Sequence, residues 1–127
     1  MNTDLRRELG AAGERLAERH LNEAGYRVID RNFRTRHGEL DLIATSRSTL
    51  VFCEVKSRLG TRPRALALEM IGPDKRRRVR SMAREWLASR APLLGSWNGQ
   101  EIRFDAIGVT VGPDGLPVGI EHIPDAF

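Results

Sequence analysis

The chain has 127 residues and a net charge of +4, enough length for one domain with one modest hydrophobic core and a basic balance that suggests an anionic partner. No apolar run approaches the roughly 18–20 residues that span a bilayer, and the opening MNTDLRRELG carries acids where a secretory leader needs an apolar core, so neither a membrane span nor a signal peptide is expected. Cys53 is the single cysteine, which rules out an intrachain disulfide and a cysteine-built zinc site and fits a reducing cytoplasm.

In chain order, the first element is a helix over Asp4–Ala24, ended by Gly25. Leu5, Leu9, Ala12 and Leu16 recur at helical spacing and predict a buried stripe. A second stripe holds Gly10, Ala17 and Leu21, with the carboxylate of Glu14 inside it. Small neighbours there let another backbone come close to that acid. The segment YRVIDRNFRT then reads as a strand, GELDLIAT as a second and TLVFCEVKSR as a third, giving an antiparallel meander. A Gly- and Pro-punctuated stretch, LGTRPRALALEMIGP, reads as a loop with one helical turn. A second helix starts near Asp74 and stops at Ala91, before Pro92. Its apolar face is Val79, Met82, Ala83, Trp86 and Leu87. Two more strands, EIRFDAIGVTV and LPVGIEHI, flank a PDG turn. The order α-β-β-β-α-β-β predicts a single α/β domain, residues 1–127, built on one mixed sheet.

Charges inside the second and third strands need an explanation. Side chains alternate across a strand, so Glu54 and Lys56 share a face, about 7 Å apart along the chain. Val51, Cys53 and Val55 point the other way. On the preceding strand Glu39 and Asp41 share one face, with Leu40 and Leu42 on the other. The register that buries both apolar sets brings Asp41 beside Glu54. Two carboxylates forced together repel, and burial raises the cost. A hard ion of the Mg²⁺ or Mn²⁺ type relieves this and accepts oxygen ligands together with substrate phosphate. Glu14 can complete the shell, and Lys56 can steady an attacking hydroxide or the charge growing on phosphorus. The same residues also fit a cross-strand ion-pair cluster on a solvated sheet face, and spacing alone favours that cluster.

Of the 21 basic residues, 19 are arginine, a bias that suits paired donation to phosphates and that GC-rich coding also produces. In the second helix Lys75, Arg76, Arg77, Arg78, Arg80, Arg84 and Arg90 oppose only Asp74 and Glu85. That face fits a phosphate backbone, and Arg58, Arg62 and Arg64 could grip phosphates beside the third strand; a solvated helix face and plain loop charges are the alternatives. Glu39 is expected to have a structural role, His37 to be ordinary surface, Cys53 and Trp86 to be core, and Asp105 to pair with an arginine such as Arg103. Trp97, in GSWNG, is the stacking candidate.

The blocks GERLAERHL, GYRVIDRNFRTRHGELDLIA, LVFCEVKSR, IRFDAIGV and IEHIPDAF resemble, in order, those of the small bacterial YraN-like proteins over nearly the whole chain. The resemblance implies the PD-(D/E)XK, restriction-endonuclease-like fold and a similarity to archaeal Holliday junction resolvases. It implies that Asp41 is the first-motif aspartate, Glu54 and Lys56 the (D/E)XK pair, and Glu14 the helix-one glutamate. Leu40 stands where the namesake motif has proline. The expected activity is metal-dependent endonucleolytic hydrolysis of phosphodiesters, with DNA, including branched DNA, as partner, and with a homodimer implied by the resolvases. A non-catalytic nucleic-acid-binding protein and an adaptor whose charges only pair are the competing readings.

Overall fold

The computed structural model describes residues 3–66, 71–90 and 101–127. The elements follow the expected order: α1 (Thr3–Glu23), β1 (Arg27–Thr35), β2 (Gly38–Thr45), β3 (Thr49–Leu59), α2 (Pro73–Arg90), β4 (Glu101–Val111) and β5 (Pro117–Ile123). Trp97, the stop at Ala91 and Pro92, and much of the apolar run before α2 fall outside the described residues. No helix among the described residues is long and apolar enough to cross a membrane.

The five strands form one mixed sheet in the order β1-β2-β3-β4-β5. β1, β2 and β3 are the antiparallel meander, β3 and β4 run parallel from Thr49↔Glu101 to Leu59↔Val111, and β5 returns antiparallel on β4. A parallel pair needs a crossover, and α2 lies in it. The architecture is consistent with a restriction-endonuclease-like fold.

Each helix covers one face of the sheet. Ala17 and Leu21 of α1 pack on Leu42, Ala44, Val51, Cys53, Ile107 and Val109. Val79, Met82, Ala83 and Trp86 of α2 pack on Leu40, Ile43, Leu50, Phe52 and Phe104. The apolar face read for α2 is the buried one, with the Trp86 indole N–H donating to Asp30 Oδ2 at 2.8 Å.

In α1 the sequence reading is corrected. The fully buried stripe is Gly13, Ala17 and Leu21, while Leu5 is 49% exposed and Leu9, Ala12 and Leu16 are half-buried. The reason is closeness: a side chain on Gly13 would overlap Ser57 of β3, its first carbon 2.7 Å from the Ser57 Cβ. Small residues let helix and strand touch, and the leucines ride at the rim.

A second correction concerns β2. Leu40 belongs to the α2-side core and Leu42 to the α1-side core, so they do not share a face. Strand alternation breaks at Asp41 between them. On β1 the break is matched at Asn32, which sits between the rungs Arg31↔Leu42 and Phe33↔Leu40 and has a left-handed backbone, φ 52°. Asparagine tolerates that conformation better than most side chains.

Candidate metal and nucleic-acid site

The break at Asp41 builds the site. The β2–β3 rungs run from Thr45↔Leu50 to Leu42↔Cys53; at the next step the Asp41 side chain replaces a backbone carbonyl, and its Oδ2 accepts the Val55 N–H at 2.7 Å. The carboxylate is therefore fixed in the seam between two strands, on the side facing α1. Glu14 comes down from α1 and Glu39 from β2. Oxygens of Glu14, Glu39 and Asp41 lie within 4.8 Å of one another. The Asn32 amide nitrogen donates to both Glu14 Oε1, at 2.7 Å, and Glu39 Oε1, at 2.8 Å. One amide thus ties helix to hairpin through two acids.

This concentration of oxygens has an electrostatic consequence. Burial, then the charge of Glu54, then those of Glu14 and Glu39 push the Asp41 carboxyl from 3.8 up to about 8, against the opposing Val55 N–H. No cation of the protein contacts it among the described residues. Arg34 meets Glu39 at 3.2 Å from an exposed position.

Glu54 is disposed differently. It lies on β3 one step beyond the Leu42↔Cys53 rung, near enough for its charge to act on Asp41, but it is not one of the three clustered acids. Its Oε2 is held at 2.9 Å by Lys75 of α2, with the side chains 15% and 27% exposed, and its Oε1 is buried without a hydrogen-bond partner. Burial raises the Glu54 carboxyl above its ordinary value, while Lys75 and Arg78 pull it down. Glu54 therefore spans two duties, one oxygen paired and one unmet. Lys56 is exposed and lines a cleft of about 440 Å³ with Glu14, Arg6, Gly10 and Ser57.

The acidic triad could bind a metal ion: its donors are carboxylates only, one is forced toward neutrality for want of positive charge, and the Oε1 of neighbouring Glu54 is buried without a partner. Glu39, for which the sequence suggested a structural role, supplies the third clustered oxygen. Its two-residue spacing from Asp41 was the available signal.

The basic residues divide. Arg76, Arg77, Arg78, Arg80 and Arg84 are exposed on α2. Arg77 pairs with Asp74, Arg80 donates to the Phe127 carbonyl at 2.7 Å and lies over the Phe104 ring, and Arg84 donates to Ser81. Lys75 is turned inward to Glu54. Arg62 and Arg64 are exposed, and Arg58 anchors the loop on the Ala65 carbonyl at 2.9 Å. His37 is half-buried at the β1–β2 turn, with its backbone N–H on Thr35 Oγ1.

Away from the cluster, buried Asp105 accepts from both Nε and Nη2 of Arg103 at 2.8 Å, which is the pairing expected for it. Asp105 also meets His122 Nε2 at 2.7 Å, and His122 Nδ1 meets His20 Nε2 of α1 at 2.9 Å. Burial would raise the Asp105 carboxyl, but hydrogen bonds from His122, Arg103 and the Asp125 N–H outweigh it and hold it low. Nothing in the spacing of His20 and His122 revealed this chain.

Comparison with known sequences locates the chain among relatives. The profile of the uncharacterised protein family UPF0102 matches residues 13–109, a span containing Glu14, Glu39, Asp41, Glu54, Lys56 and all of α2. A UPF0102 protein of Rhodococcus opacus (strain B4) is 45% identical over 119 residues, covering 94% of this chain and 95% of the relative. One from Frankia alni is 44% identical, covering 94% and 93%. One from Anaeromyxobacter dehalogenans (strain 2CP-C) is 44% identical over 124 residues, covering 98% and 87%.

Proposed function

The chain belongs to the uncharacterised protein family UPF0102, and from the geometry of its acidic seam we propose that it is a metal-dependent endonuclease of PD-(D/E)XK type acting on DNA. The observation that carries this reading is Asp41: a carboxylate pinned by the Val55 N–H among Glu14 and Glu39, and driven to about 8 with no cation of the described residues against it. A group built at that cost and left uncompensated is suited to a cation supplied from solution.

Asp41, Glu14 and Glu39 would hold a Mg²⁺- or Mn²⁺-type ion, with the unpartnered oxygen of Glu54 beside them. Bound there, such an ion supplies Lewis acidity toward a phosphodiester oxygen and lowers the pKa of water. The protein's own groups do the rest. Asp41 keeps its position through Val55, and Asn32 holds Glu14 and Glu39 in register. Lys56 offers an ammonium at the cleft beside Glu14, where it would steady negative charge developing on the phosphate. Exposed Arg76, Arg78, Arg62 and Arg64 would follow the phosphate backbone.

A second reading has its own support. Glu54 is already met by Lys75, and a protein that kept the fold and the basic helix but only binds nucleic acid would carry such a pair. Two measurements separate the readings. Thermal stability is followed against added Mg²⁺ or Mn²⁺ in wild type and Asp41→Ala, and cleavage of flap, branched and duplex DNA with Mn²⁺ is compared between wild type and Glu54→Ala. Metal-dependent stabilisation lost in Asp41→Ala, with cleavage lost in Glu54→Ala, supports the nuclease. Equal metal responses sink the metal site, and salt-sensitive binding without cleavage supports the binding protein.

A further inference from the structure

α1 and β3 touch at Gly13 and Ser57, where a side chain on the glycine would collide. One turn earlier the two have parted: a side-chain carbon on Gly10 would meet nothing within 4 Å. The elements therefore form a wedge, closed at Gly13 and open toward the start of α1. Its volume, about 440 Å³, lies within the roughly 300–1,000 Å³ of small-ligand sites.

The lining of the wedge is mixed. Arg6 and Lys56 are exposed, and both stay outside every ion pair among the described residues. Leu9 and Val55 add half-buried apolar surface between them. At the inner end stands Glu14, which also belongs to the acidic cluster. Two cations, an apolar slot and an acid shared with the cluster match a group that is part phosphate and part flat, weakly polar ring. A paired duplex is far larger than the roughly 440 Å³ of this cleft.

Resting on the nuclease reading above, we propose that this wedge holds one unpaired nucleotide next to the phosphate to be cleaved, so that the substrate is DNA with single-stranded character at the cut. Arg6 and Lys56 take its phosphates, and Leu9, Gly10 and Val55 receive its sugar and base. Gly10 is then reserved space: its missing side chain is the room for the ring.

The test uses fluorescently labelled single-stranded, flap and blunt duplex DNA of one sequence, with binding followed by anisotropy in chelator across a salt series. Gly10→Leu fills the slot from a position with no neighbour to clash with, and Arg6→Ala removes one cation from an exposed site. Both variants are expected to bind single-stranded and flap DNA about tenfold more weakly while binding blunt duplex like wild type, and Arg6→Ala to lower the single-strand salt slope by about 0.7. Unchanged single-strand binding, or equal loss on all three DNAs, overturns the proposal. Should Gly10→Leu fail to fold, Arg6→Ala decides alone through its slope. If wild type cleaves with Mn²⁺ yet the variants bind unpaired DNA normally, the wedge assignment fails and the nuclease reading stands. If wild type binds none of the DNAs at low salt, both fall.

Discussion

Replacing Asp41 with asparagine should stabilise the metal-free protein at neutral pH, although it alters the group that accepts the Val55 N–H. The native state keeps Asp41 protonated up to about pH 8, whereas the unfolded chain releases the proton near its ordinary 3.8. Between those values the folded form binds more protons, so this group's contribution is complete below 3.8 and is lost as pH rises, at about 1.4 kcal/mol per pH unit. At pH 7 the full loss would be about 4 kcal/mol, and sharing of the repulsion with Glu14, Glu39 and Glu54 brings it to the order of 2 kcal/mol. The amide of the variant carries no such liability, and its oxygen can still accept the Val55 N–H. For a chain of this size the gain corresponds to roughly 7 °C in melting temperature. The assay is thermal unfolding in EDTA from pH 4 to 9. The gap between Asp41→Asn and wild type should open above pH 4 and stop growing above about pH 8. Adding Mn²⁺ should raise wild type and leave the variant unmoved. A variant that melts at or below wild type at pH 7 in EDTA refutes the reasoning.

Lys75→Met should leave Glu54 buried without its partner and cost about 2 kcal/mol at pH 8, and the double variant Lys75→Met/Glu54→Gln should recover most of it; urea unfolding of the four forms checks this, and a neutral single variant contradicts it. Gly13→Ala should destabilise by on the order of 2 kcal/mol despite alanine's better helix propensity, because its methyl collides with Ser57; Ser57→Gly introduced with it should restore stability in the same measurement. Burial, then the neighbouring His122, depress the His20 pKa, with Glu23 opposing. Its contribution is therefore present above the ordinary 6.5 and lost as pH falls below it, and His20→Asn should flatten that limb of the stability–pH curve.

The strands were legible where composition and turns left little choice: β2 and β4 occupy the segments GELDLIAT and EIRFDAIGVTV read from the sequence. The apolar face of α2 was equally clear, because its packing is sheet contact at ordinary distance. Two features were not legible, for one reason. The broken alternation at Asp41 arises because a side chain serves as the acceptor for another strand's backbone, and the burial of Gly13 arises from the approach of Ser57. Both depend on a partner far along the chain. Among the candidate site residues, the spacing that set Asp41 beside Glu54 assumed Leu40 and Leu42 on one face, which the break removes, while Glu14 stands out through the small residues around it. Lys75 groups by sequence with the outward-facing cations, because sequence gives the sign of a charge and not its direction. Asn32 joins the acidic cluster only once its left-handed backbone is visible, whereas Glu39 carried a signal in its two-residue spacing from Asp41.

The parallel pairing of β3 and β4 bears on how this protein reaches its final form. Every rung from Thr49↔Glu101 to Leu59↔Val111 joins residues about fifty positions apart, an arrangement that closes slowly. The acids Glu14, Glu39, Asp41 and Glu54 all precede Lys75 in the chain, so α1 and the meander can assemble while their mutual repulsion is still unrelieved. Docking of α2 brings Lys75 to Glu54 alone, and the repulsion among Glu14, Glu39 and Asp41 awaits an ion from solution. The speed of refolding is thereby tied to the supply of positive charge, and divalent ions should accelerate it as well as shift its endpoint.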